Sequence, residues 1–205
     1  MRLLRCETLS TEDTLARFKQ TRLKGFGQPR IYESASLELR PSVPTEQLTP
    51  TQRYVLTGDL NNIFALETLL RPHGINVFAL TGAVLFWIER EGAEEGPIPL
   101  TPPIIEESVE ADGRMVWIIN DGMHRIAAAR KRGRDINVIL ARGVPAQYPY
   151  YAFPLDNKWE DVAELEDLPD GFKKKTYRSP DDYKSLFRDF NGIFEGIQKQ
   201  RKRTN

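Results

Sequence analysis

The sequence predicts an α+β fold, and three observations carry that expectation. Residues 115–119, "MVWII", are short, apolar and rich in β-branched side chains; they end at Asn120-Asp121-Gly122, and an alanine-rich basic run follows from 126 to 132, stopped by Gly133. That order reads as strand, turn and helix. Asp112-Gly113, between "TPPIIEESVE" and "MVWII", is a hairpin signal joining two short strands. "DLNNIFALETLLRPHG" places Ile63, Leu66, Leu69 and Leu70 on one face, with Asp59 as a cap and Pro72 and Gly74 as terminators, which predicts a packed helix.

The other elements follow along the chain. Ser10 with Thr11, Glu12 and Asp13 makes a capped start for "TEDTLARFKQTR", where Leu15 and Phe18 sit at helical spacing. "LKGFGQPR" is a basic loop whose Lys24 and Arg30 could touch a phosphate, although two glycines without a P-loop pattern make a weak signal. "ASLELRPSVPTEQL" reads as a strand ending at Pro41, then a loop into a helix at Thr45-Glu46. "FALTGAVLFWIEREG" is compatible with a buried helix or a bent strand pair, and its length favours helix. "EGAEEGPIPL" is expected to be an acidic, flexible connector, and "DINVILARGVP" a further strand.

Three segments result: residues 1–35, an amino-terminal helix and loop; 36–145, the core; and 146–205, an aromatic-rich, mainly helical extension. In the extension, Tyr148, Tyr150, Tyr151, Phe153 and Trp159 can wall a pocket or stack on a base; packing onto the core is the simpler reading. "SPDDYKSLFRDFNGIF" has a well-formed cap and Tyr183, Leu186, Phe187 and Phe190 at helical spacing, so it is expected as a docked helix. Lys173 to Lys175 and the tail with Lys199, Arg201, Lys202 and Arg203 read as solvated basic ends.

Composition narrows the function. The 205 residues suffice for one packed domain with an appended module. Lysine plus arginine equals aspartate plus glutamate at 29 each, so the charge balance does not favour a sequence-blind nucleic-acid binder. Cys6 is the one cysteine and cannot form an internal disulfide; no apolar signal segment precedes it, and the cytoplasm is the expected compartment. The most apolar window, residues 75–88, is interrupted by Asn76, Thr81 and Gly82 and is too short to span a membrane. With two histidines and one cysteine there is no zinc-type cluster for His73 to join, and it reads as a helix-end residue.

The junction at 120–125 is where chemistry is expected. A strand-to-helix turn exposes backbone N–H groups at the positive end of the helix dipole, which suits phosphate or carboxylate. Arg125 could add a forked, permanent cation. Structural roles alone also account for these residues: Gly122 in the turn, His124 as a satisfied histidine, Arg125 as a solvated helix residue.

"INDGMHRIAAARKRG" resembles the signature of the ParB/sulfiredoxin-like superfamily, in which a strand leads through Asp-Gly-x-His-Arg into a helix. The resemblance covers residues 37–144 and implies a small mixed β-sheet with packed helices. It is closest to the free serine kinase type, with Met123 where that type has a second histidine. It implies that Gly122, Met123, His124 and Arg125 hold the phosphates of ATP or ADP, and that Asp121 holds Mg2+ or orients an acceptor hydroxyl. Glu46 in "VPTEQL" is similar in order and context to the glutamate that activates the acceptor in that type. Glu46, Asp121 and His124 are then the catalytic candidates of a phosphotransferase acting on a hydroxyl of a small molecule such as an amino acid. The alternative is a ParB-like nucleotide-binding switch or nucleic-acid-associated protein, against which the lack of an evident helix-turn-helix counts. A sulfiredoxin activity needs a cysteine within the signature, and Met123 cannot act as a thiolate.

Overall fold

The computed structural model describes residues 2–194. The tail bearing Lys199, Arg201, Lys202 and Arg203 lies outside the described residues. The fold is α+β. Its centre is a five-stranded mixed sheet in the order β3-β10-β8-β9-β4, built from β3 (Ser36–Val43), β4 (Leu48–Thr49), β8 (Ile104–Val109), β9 (Met115–Asp121) and β10 (Ile136–Arg142). β9 and β8 form the expected antiparallel hairpin, while β10 runs parallel to β8 and antiparallel to β3. A second sheet, β1-β6-β7, comprises β1 (Arg2–Thr8), β6 (Val84–Arg90) and β7 (Ala93–Leu100).

Among the described residues three α-helices accompany the sheets: α1 (Thr11–Phe18), α2 (Thr57–Leu70) and α3 (Met123–Lys131). α1 starts where expected, with the Ser10 hydroxyl accepting from the Asp13 N–H at 3.0 Å. α2 begins two residues before Asp59, which lies in its first turn, and a 3-10 turn at Arg71–His73 ends it at Gly74 in the left-handed region. His73 is exposed in that terminator.

Alternation along β10 sorts the core. Val138 and Leu140 join Ile105, Ile119 and Ile126 beneath α2 and α3, whereas Ile139 and Ala141 join Phe18, Leu23, Ile31 and Tyr32 on the opposite face. Both faces are covered, which is why residues 136–141 of β10 are buried without interruption. Ala127, Ala128 and Ala129 are the small residues that let α3 lie close to this core.

Four expectations are corrected. The helix expected over "FALTGAVLFWIEREG" is instead a turn followed by β6. A Cβ on Gly82 would lie 2.1 Å from the Leu9 carbonyl oxygen, and Leu9 donates its N–H to Ala83 at 2.8 Å, so pairing with β1 claims this stretch. The acidic connector is β7; Glu91 and Gly92 both have positive φ, the geometry of a tight hairpin turn, and the glutamates face solvent on a sheet edge. β3 passes through Pro41 to Val43, because an edge strand tolerates the missing N–H, and the helix expected at Glu46 is one 3-10 turn, Thr45–Gln47.

The fourth correction concerns the extension. Among the described residues, 146–194 contain no α-helix. Where a docked helix is expected there are a 3-10 turn, Tyr183–Leu186, and β12 (Arg188–Asp189), which pairs with β2 (Arg22–Leu23). Tertiary contacts override the helical spacing: Tyr183 stacks on Tyr177 with ring centroids 3.8 Å apart, and Arg188 is drawn into a buried ion pair with Glu106. The remaining strands, β5 (Tyr54–Leu56) and β11 (Ala163–Leu165), pair in parallel beside the start of α2. No helix among the described residues is long and apolar enough to cross a membrane.

Candidate functional site

The turn from β9 into α3 opens on a cleft of about 380 Å³ lined by Asp121, Gly122, Met123, His124 and Arg125, and by Thr51, Gln52, Tyr151 and Lys175. That volume falls within the range of small-ligand sites. The approach to it is shaped by an irregularity: Ile104 pairs with Asp121 but Ile105 with Ile119, so Asn120 is an extra residue on β9. Asn120 donates to Tyr32 Oη and to Glu106 Oε1, both at 2.6 Å, and Asp121 ends the strand at the cleft.

Gly122 is required by two constraints. Its φ is 89°, and an added Cβ would stand 2.8 Å from the Pro103 Cβ. Among the described residues no side chain caps α3, so the first-turn amides of Met123 and His124 remain available to a ligand.

Arg125 is not the solvated helix residue that its position allows. It is 6% exposed and donates to the Thr101 carbonyl oxygen. Burial pushes its guanidinium down to about 10, against the attraction of Asp121, and it stays charged at neutral pH. Among the described residues no carboxylate forms an ion pair with it. A buried cation at the positive end of a helix, offset by the Asp121 carboxylate without a direct ion pair, favours a further anion.

His124 faces two partners with opposite demands. Its Nε2 accepts from the Leu56 N–H at 3.3 Å and stands 3.3 Å from Asp59 Oδ2. Burial lowers its pKa below the ordinary histidine value, and the Asp59 carboxylate only partly opposes this. The neutral imidazole, with the proton on Nδ1, is the form that fits the Leu56 donor.

Glu46 does not line the cleft. It lies on the 3-10 turn beside the far end of α3, where Oε1 is 2.5 Å from Arg130 Nη1, and its side chain is 67% exposed. Its own backbone N–H, with Thr45 and Arg130, holds the carboxyl below the usual range, which makes it a weaker base. Lys24 and Arg30 also lie away from the cleft; Arg30 faces Glu33 at 3.5 Å. Among the described residues no three His, Cys, Asp or Glu side chains group as a metal site. Asp121 alone still fits magnesium, a hard cation commonly shared between one carboxylate, phosphate oxygens and water.

Residues that the sequence reading passed over complete the wall. Lys175 belongs to a run that its sequence marks as solvated, yet it is half-buried in the cleft, donating to Tyr151 Oη at 2.7 Å, Tyr150 Oη at 3.2 Å and Thr51 Oγ1 at 3.3 Å. Nothing in "FKKKTY" separates it from its two exposed neighbours. Thr51 and Gln52 carry no local signal either.

The mixed sheet and the β9–turn–α3 junction both lie within the stretch that a ParB-like family model matches. The sequence model of the ParB CE domain matches residues 13–163, well over half of the chain, and the protein belongs to that family. No curated protein gives a significant match.

Proposed function

We propose that this protein binds a nucleotide, ATP or ADP, by its phosphates in the cleft at the start of α3, and transfers a phosphoryl group to a hydroxyl of a small molecule such as an amino acid. The carrying observation is Arg125: a buried cation, without a carboxylate ion pair among the described residues, beside an uncapped helix start. Phosphate oxygens would accept from the Met123 and His124 amides and offset the guanidinium charge.

Transfer requires an in-line acceptor and neutralisation of the moving group's charge. The hydroxyl oxygen forms a bond to phosphorus as the bond to the nucleotide's bridging oxygen breaks, and the hydroxyl proton passes to a carboxylate. Asp121 is the carboxylate facing the cleft, and it can orient the acceptor or hold Mg2+, which when bound supplies positive charge to the phosphates. Arg125 and the α3 amides fix the phosphate chain. Glu46 would join the acceptor only after leaving Arg130. This chemistry resembles that of the free serine kinase type.

That displacement of Glu46 favours a second reading, a ParB-like nucleotide-binding switch in which the same cleft binds without turnover. Incubation with nucleotide labelled on the terminal phosphate and a panel of hydroxyl metabolites separates the two. Label on an acceptor, lost in Asp121→Asn while nucleotide binding persists, supports transfer; binding without label on any acceptor supports the switch.

A further inference from the structure

We propose that Lys175 is the second phosphate-binding cation of the cleft, holding the terminal phosphate of a nucleoside di- or triphosphate and making the site selective for these over monophosphates. This deepens, and rests on, the nucleotide reading. It assigns the role to a residue beyond the stretch 13–163 that matches the family.

Three features single out this lysine. Its Nζ is turned inward onto the hydroxyls of Tyr151, Tyr150 and Thr51 and lies 4.7 Å from the Tyr151 ring centroid and 5.5 Å from that of Tyr150. Those partners are neutral, and among the described residues no carboxylate forms an ion pair with it, so its charge is held but not cancelled. Lys173 and Lys174, by contrast, are exposed.

The segment that carries Lys175 is fixed on both sides. Arg53 donates its N–H to the Lys174 carbonyl at 3.0 Å, and Phe153 donates to the Thr176 carbonyl at 2.9 Å. Three residues on, Arg178 Nη2 forks onto the Glu110 carboxylate at 2.7 and 2.9 Å. A cation held this way loses little further freedom when it meets an anion, which takes over one of its three N–H donors, the 3.3 Å bond to Thr51 being the longest of those it now makes.

Arg125 with the α3 amides and Lys175 among the tyrosines are thus two separate cationic groups lining one cleft. A single phosphate would engage one of them; a phosphate chain can engage both.

The test is calorimetric titration of the full-length protein with AMP, ADP, ATP and inorganic tripolyphosphate, for wild type, Lys175→Gln, Lys175→Arg and Tyr151→Phe. Lys175→Gln is expected to weaken ATP and tripolyphosphate by about tenfold or more, a charged hydrogen bond being lost, while AMP changes by less than about twofold. Lys175→Arg restores most of the loss, and Tyr151→Phe, which leaves the ammonium in place, costs less. If Lys175→Gln does not fold, Lys175→Met, which keeps the apolar stem among the tyrosines and removes the charge, decides in its place by the same contrast between ATP and AMP. An equal loss for all nucleotides, or none, overturns the proposal while leaving the nucleotide reading intact. A wild type that binds neither tripolyphosphate nor nucleotide overturns both.

Discussion

Arg188 closes a two-pronged ion pair on Glu106, with Nε 2.8 Å from Oε1 and Nη2 2.9 Å from Oε2, and the side chains are 0% and 3% exposed. The pair ties the carboxy-terminal segment to the central sheet directly beneath Asn120, the residue before Asp121. Burial alone would lower the Arg188 pKa, but the paired carboxylate outweighs it and holds it above its ordinary value.

Breaking that pair should be costly, because it leaves a buried charge without its partner. Arg188→Met is expected to lose about 3–5 kcal/mol of stability by urea denaturation. Loss of less than about 1 kcal/mol, the value typical of exposed pairs, would show that the extension is not fastened there.

Gly122→Ala tests the turn. Left-handed φ and the approach of Pro103 together predict a destabilisation of about 1–3 kcal/mol, with loss of nucleotide binding because the α3 amides shift. The same substitution at Gly133, where an added Cβ meets nothing within 4 Å, removes the second constraint and should cost less.

The pH dependence follows from His124. Its folded pKa lies below the ordinary value of 6.5, so the neutral form is favoured on folding. Its contribution to stability is full above the unfolded pKa and is lost as pH falls through the folded one. The melting temperature of wild type should therefore decline on acidification below 6.5, and His124→Gln should flatten that part of the profile.

Glu46→Gln should leave nucleotide binding unchanged, since the carboxylate faces Arg130 outside the cleft, and change stability by less than about 1 kcal/mol, as for exposed pairs. Loss of phosphoryl transfer in this variant, with binding retained, would mean that the Thr45–Gln47 turn brings Glu46 to the acceptor during turnover.

The parts of this molecule that were legible in the sequence are those whose signals are local. The β8–β9 hairpin announces itself through Asp112-Gly113, and the β9–α3 junction through Gly122 and the alanines that follow. The β1–β6–β7 sheet was not legible, because Val84–Arg90 becomes a strand through pairing with residues 2–8, some eighty positions away. Lys175 was hidden for the same reason. Its environment is made by Thr51 and Tyr151, which are distant in sequence, and its flanking residues resemble those of any solvated run. The extension misled in the other direction: Tyr183, Leu186 and Phe187 have helical spacing, but stacking on Tyr177 and the anchoring of Arg188 impose an irregular path.

The most direct measurement is the melting temperature of the purified protein across a nucleotide panel, with and without magnesium, for wild type and Arg125→Ala. A ligand at a hundred times its dissociation constant adds about 2.7 kcal/mol to stability. A clear rise is expected for wild type with ATP or ADP and none for Arg125→Ala; a wild type that no nucleotide stabilises would overturn nucleotide binding at the start of α3.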